Sequence, residues 1–118
     1  MRGKRIVGLT LAAVFAVFVA PPASAITIGT AGLFVPVLTT CGLLPPLFED
    51  TARVPAAAFD EHGCGAEILV EKGGQTVTAK VTDRCGACAS GDIDLSPAAF
   101  RKIADPGEGR VEVKWDFI

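Results

Sequence analysis

The chemistry-bearing residues gather between Val81 and Pro97, where Asp83-Arg84-Cys85-Gly86-Ala87-Cys88 is followed closely by Asp92-Ile93-Asp94-Leu95-Ser96. Three carboxylates and a guanidinium in so short a stretch offer ion-pair and hydrogen-bond chemistry. Asp83 and Asp94 can accept backbone N–H groups at turns and helix starts, and Arg84 can pair with either of them. Asp83, Arg84 and Asp92 are therefore the candidate binding residues. The Cys85-x-x-Cys88 spacing raises two further chemistries. A redox pair of this kind usually sits at a helix N-terminus that lowers the thiol pKa, but Ala89-Ser90-Gly91-Asp92 intervenes before any helix, so a structural disulfide is the expectation. Zinc held by Cys41, Cys64, Cys85 and Cys88 would need a second short ligand spacing, which is absent, and no metal or cofactor is expected. The lone His62 reads as a solvated loop residue rather than a ligand.

What must position these residues is a small exported domain. Arg2, Lys4 and Arg5 precede an apolar run from Ile6 to Ala20, then Pro21-Pro22 and Ala23-Ser24-Ala25, the layout of a signal peptide cleaved after Ala25. The prolines end the run before the roughly 20 apolar residues that a membrane-spanning helix needs. The expected mature unit is residues 26–118, secreted, monomeric and without a membrane anchor. Cleavage removes three of the 11 basic residues and none of the 13 acidic ones, taking the formal charge from −2 to −5. That balance argues against nucleic acid or anionic lipid as a partner. All four cysteines lie in the mature part, and an even count in an exported domain reads as two disulfides, with three pairings open.

The elements follow from periodicity. Ile26 to Leu47 is almost uncharged and broken by Gly29, Gly32, Pro36, Gly42 and Pro45-Pro46, which predicts short buried strands. Ala66 to Glu71 and Gln75 to Thr82 flank Gly73-Gly74 as a hairpin, with Val77, Ala79 and Val81 on one face. Val111, Val113, Trp115 and Phe117 alternate with Glu112, Lys114 and Asp116 in a closing strand. Ser96 and Pro97 open a helix with Phe100, Ile103 and Ala104 as its apolar stripe, stopped by Asp105-Pro106-Gly107. The phrase Val54-Pro55-Ala56-Ala57-Ala58-Phe59 echoes Ser96-Pro97-Ala98-Ala99-Phe100, as two related halves would.

Cys41-Gly42, Cys64-Gly65, Asp83-Arg84-Cys85, the Ile93-Asp94-Leu95-Ser96 run with Phe100 behind it, and the strand from Gly109 to Trp115 occur together and in order. In this the chain resembles the double-psi β-barrel domains of expansins, barwin-like proteins and rare-lipoprotein-A-like (RlpA-like) proteins, over most of residues 30–118. The resemblance implies an all-β fold, a six-stranded double-psi barrel of two interlocked strand–helix units with one or two short helices. It implies pairing of Cys41 with Cys64, leaving Cys85 with Cys88. It also maps the general acid of related glycan-cleaving barrels onto Asp94, the one candidate catalytic residue.

Against hydrolysis stands the rest of the site. An inverting glycosidase needs a second carboxylate to activate water. Similar enzymes draw it from the N-terminal strand region, yet Ile26 to Phe48 contains no Asp or Glu. Expansins carry a His two places before the Asp, where this chain has Asp92. A transglycosylase that uses the sugar's own hydroxyl would need only the acid. Flat sugar-stacking rings are scarce: there is no Tyr, and the single Trp115 alternates with core residues. The expectation is a secreted, non-hydrolytic, expansin-like or RlpA-like protein that binds cell-wall polysaccharide or peptidoglycan. Small barrels of this type also inhibit secreted papain-like cysteine proteases, the alternative reading, and a peptidoglycan lytic transglycosylase is the third.

Overall fold

The computed structural model describes residues 26–42 and 48–118. The expected signal peptide, and Leu43 to Leu47 of the apolar segment, lie outside the described residues. Six strands form a closed barrel: β1 (Thr27–Leu33), β2 (Thr51–Pro55), β3 (Glu67–Lys72), β4 (Gln75–Cys85), β5 (Ile93–Leu95) and β6 (Val111–Phe117), in the order β1-β5-β2-β4-β3-β6. The β1–β5 and β2–β4 pairs are parallel and the others antiparallel. Closure leaves no unpaired sheet edge among the described strands. Two short helices, α1 (Ala56–His62) and α2 (Pro97–Arg101), each follow directly on a strand, β2 and β5 respectively. The echoed Pro-Ala-Ala phrases thus occupy equivalent places, as strand followed by helix.

Alternation in the sequence becomes the inside of the barrel. Val77, Ala79 and Val81 of β4 face inward with Ile68 and Val70 of β3 and Val111, Val113 and Trp115 of β6, packed on Phe100 and Ile103. Burying this set of aliphatic and aromatic side chains, at ~1.5–3 kcal/mol each, is what holds so small a domain. The Gly73-Gly74 turn joins β3 to β4 with both glycines at positive φ, as a two-residue hairpin loop requires. Ser96 caps α2, its hydroxyl accepting from the Ala99 N–H at 3.4 Å and donating to the Glu49 carbonyl at 2.8 Å. The helix ends at Arg101, earlier than the apolar stripe predicts, but Ile103 and Ala104 still pack against the core from the turn that follows.

The N-terminal apolar segment departs from expectation. Over its described residues it forms one strand, β1, and then a surface loop, and much of it is not buried: Ile28, Leu33, Val35, Val37 and Leu38 are exposed, whereas Ala31, Phe34 and Pro36 are buried. A strand in a closed barrel turns only one face inward, and here that face carries the small residue Ala31, while the next residue, Gly32, pairs with Asp94 of β5. Gly29 makes a second close crossing, since a Cβ there would lie 1.9 Å from the Gly91 carbonyl oxygen. Trp115 locks this crossing by donating its Nε1–H to the same carbonyl at 2.8 Å.

Candidate functional site

Asp94, in the middle of β5, is a buried carboxylate with its side chain 5% exposed, held between two arginines. On one side the β2–β5 register places Arg53 opposite it, and Arg53 donates from Nε and Nη2 to Oδ2 at 3.0 and 2.6 Å. On the other side the parallel register places Gly32. A Cβ on Gly32 would lie 2.5 Å from Arg110 Nη2 and 2.9 Å from Asp94 Oδ1, so only glycine leaves room for Arg110 to reach over β1. Arg110 donates from Nη2 to Oδ1 at 2.6 Å, and from Nη1 to the Thr30 hydroxyl and the Ile93 carbonyl at 2.9 and 3.2 Å. Charge-assisted bonds of this length are the strong class. Both Asp94 oxygens accept from guanidinium N–H groups.

Asp92 extends the network by accepting from the Thr30 backbone N–H and hydroxyl at 3.0 and 2.8 Å. Asp83 repeats the same device in the other half, accepting from the Thr40 N–H and hydroxyl at 2.9 and 2.6 Å and from the Arg84 N–H at 2.9 Å. Partial burial works against the Asp83 charge, but the Thr40 side chain, the Thr40 and Arg84 amides and the charge of Arg53 outweigh it and hold the carboxyl below its ordinary value. Each Asp thus ties a threonine of the N-terminal segment to the barrel.

The Arg84 guanidinium does not pair with the Asp83 or Asp94 carboxylate, contrary to the sequence expectation. It extends outward from β4 over α1 and forms a two-pronged pair with Asp60, Nε to Oδ1 at 3.0 Å and Nη2 to Oδ2 at 3.2 Å, which lowers the Asp60 carboxyl below its usual range. The arginines that do serve Asp94 went unnoticed in the sequence. Their signals are weak: Arg53 is the one charge in a strand of otherwise small and apolar residues, and Arg110 follows Gly109 just before the last strand. His62 is exposed, as expected, but it lies in a helix rather than a loop. It ends α1, and its ring stacks on Phe117 with centroids 3.6 Å apart.

The cysteines pair as Cys41–Cys64 and Cys85–Cys88. Cys88 Sγ lies 3.9 Å from Asp94 Oδ2, so the second disulfide forms part of the wall of an open hollow of about 370 Å³. Arg53, Ala87, Ala89, Asp92, Asp94 and Arg110 complete it. The sulfurs and the Asp94 carboxylate are within 4.8 Å of one another, but joined sulfurs offer no thiolate to a metal. A larger hollow, about 470 Å³ and lined by Leu69, Trp115, Phe117 and Ile118 among others, contains none of the residues singled out for chemistry except Trp115. The ring of Phe34 lies beneath Arg53, 5.0 Å from its guanidinium carbon, and Trp115 is buried, so neither offers a free face to a sugar.

A family model described as lytic transglycolase (DPBB_1) matches residues 29–115. A papain inhibitor of Streptomyces mobaraensis is 38% identical over 78 residues, an alignment that covers 59% of this chain and 54% of that protein. An expansin of Bacillus subtilis is 41% identical over 54 residues, covering 46% of this chain and 23% of the expansin. The chain thus spans about half or less of the curated relatives it matches. Among solved structures, a Streptomyces papain inhibitor superposes with a TM-score of 0.72 at 28% identity, covering 82% of this chain and 97% of the other. An expansin of Clavibacter michiganensis superposes with a TM-score of 0.72 at 23% identity, covering 80% of this chain and 50% of the other.

Proposed function

Because the chain belongs to the double-psi β-barrel family described as lytic transglycolase, we propose that it is an exported, expansin-like barrel that binds cell-wall glycan without cutting it. The observation that carries this reading is the clamping of Asp94 between Arg53 and Arg110, each at 2.6 Å. A general acid must hold a proton and pass it to the leaving oxygen. A carboxylate with both oxygens engaged by guanidinium donors is built to accept hydrogen bonds instead. Hydrolysis of the inverting kind also needs a carboxylate facing the acid across the sugar. Here the carboxylates of the hollow, Asp92 and Asp94, stand on one short segment of the same wall. What remains is a hollow walled by Arg53, Asp92, Asp94 and Arg110, whose partly exposed guanidinium groups can donate to the hydroxyls of a sugar. With no flat ring beside it, the contact is short and polar. Sedimentation with insoluble peptidoglycan and cellulose tests this. The bound fraction should be measurable at low salt. No sedimentation with either polymer at low salt would end the proposal.

A second reading, inhibition of papain-like cysteine proteases, is favoured by one specific finding. The barrel accounts for 97% of the solved Streptomyces papain inhibitor chain but only half of the solved Clavibacter expansin. Titration of papain with the purified protein tests it.

A further inference from the structure

Resting on that second reading, we propose that the surface loop Val35 to Leu38 is the segment that enters the substrate cleft of a papain-like cysteine protease. The side chains of Val35, Val37 and Leu38 are among the most exposed large apolar groups of the described residues, at 62%, 66% and 81%. Between them Pro36 is buried, as is Phe34, so inward and outward side chains alternate from Phe34 to Val37 before the chain bends at Val37 and Leu38. Among the described residues no backbone hydrogen bond is made by Val35 to Leu38, which leaves main-chain groups free to add to another chain.

The two ends of this loop are fixed. Phe34 donates its N–H to the Leu95 carbonyl at 3.0 Å. Beyond the loop, Thr40 is held by Asp83, the Cys41 N–H donates to the Thr82 carbonyl at 3.1 Å, and Cys41 is joined to Cys64. A segment fixed at both ends before binding loses less conformational freedom on docking than a free one. Pro36 adds to this by fixing its own φ near about −65°. It also makes the Val35–Pro36 bond a tertiary amide, a poor site for cleavage, so the segment resembles a substrate that resists being cut.

The occupant is set by chemistry. An endopeptidase cleft takes an extended peptide through main-chain hydrogen bonds and seats a side chain in an apolar pocket. Val35 to Leu38 contains no charged residue, so none of the loop's own side chains must be desolvated as an ion. A polysaccharide would gain little from bare valine and leucine side chains.

The test is the inhibition constant against papain, measured with a chromogenic peptide substrate, for the wild type and for Val35→Asp, Val37→Asp and Leu38→Asp. Thr78→Asp, which adds the same charge at an exposed position of β4, is the control, and thermal melts check that each variant is folded. Val37→Ala, which adds no charge, serves should an Asp variant fold poorly. Inhibition by the wild type, weakened about 100-fold or more in at least one Asp variant and unchanged in the control, is the expected result. Wild-type inhibition with all loop variants equally potent would overturn the loop assignment and leave the inhibitor reading standing. No inhibition of papain by the wild type would overturn both.

Discussion

Replacing Asp94 by Asn keeps the shape of the side chain and removes its charge. One amide NH2 must then face a guanidinium that it cannot satisfy, while the remaining oxygen accepts as a neutral group. Breaking a fully buried ion pair costs about 3–5 kcal/mol. Here Asp94 is buried, but the Arg53 and Arg110 side chains are 34% and 45% exposed, so water takes up part of what they lose. Hydrogen bonds to a charged group, at about 1.5–3 kcal/mol, are the better guide, and about 2 kcal/mol is the expected loss. In a domain of this size each kcal/mol moves Tm by about 4–8 °C, so Asp94→Asn should melt roughly 10 °C below the wild type. Calorimetry gives Tm, and urea unfolding with an unchanged slope would show that the same surface is exposed. A variant melting within about 2 °C of the wild type would refute the clamp as a stabilising element.

Removing the Cys41–Cys64 disulfide as a double alanine variant should lower Tm more than removing Cys85–Cys88, because it closes a loop with a sequence separation of 23 rather than 3. Chain entropy puts the two at about 3 and 2 kcal/mol, and calorimetry under identical buffer distinguishes them. Gly29→Ala should fold poorly or lose about 3 kcal/mol or more in urea, since the added carbon meets backbone rather than a side chain that can swing away. Asp83, with its carboxyl held below the ordinary 3.8, stabilises fully above that value and loses this contribution as the pH falls through its lower folded value. The Thr40 amide resonance should report this transition, and Asp83→Asn should abolish it. Intact mass of the exported protein should show an N-terminus at Ile26 and the loss of four hydrogens for two disulfides.

The barrel was legible where alternation had a single cause. Val77, Ala79 and Val81 face inward because β4 has one face on the core, and the same holds for Val111, Val113 and Trp115 of β6. Ser96 and Pro97 marked a helix start because capping is local chemistry. The described part of the Ile26 to Leu47 stretch misled in part, since apolar composition reports burial only when a partner surface exists: Ala31, Phe34 and Pro36 are buried, but Leu33, Val35, Val37 and Leu38 are exposed. At the site, the carboxylates stood out but their partners did not. Arg53 and Arg110 reach Asp94 from 41 and 16 residues away through strand registers. Arg84, adjacent to the motif, was drawn instead to Asp60 on the helix it overhangs.

The central claim, binding without cleavage, is tested most directly by mass spectrometry of the soluble fraction after purified protein is incubated with peptidoglycan and cellulose. The account predicts that the wild type sediments with the polymer and releases no soluble sugar, and that Asp94→Asn releases none either. Soluble anhydro-sugar products from the wild type, lost in Asp94→Asn, would contradict it and make Asp94 an acid catalyst.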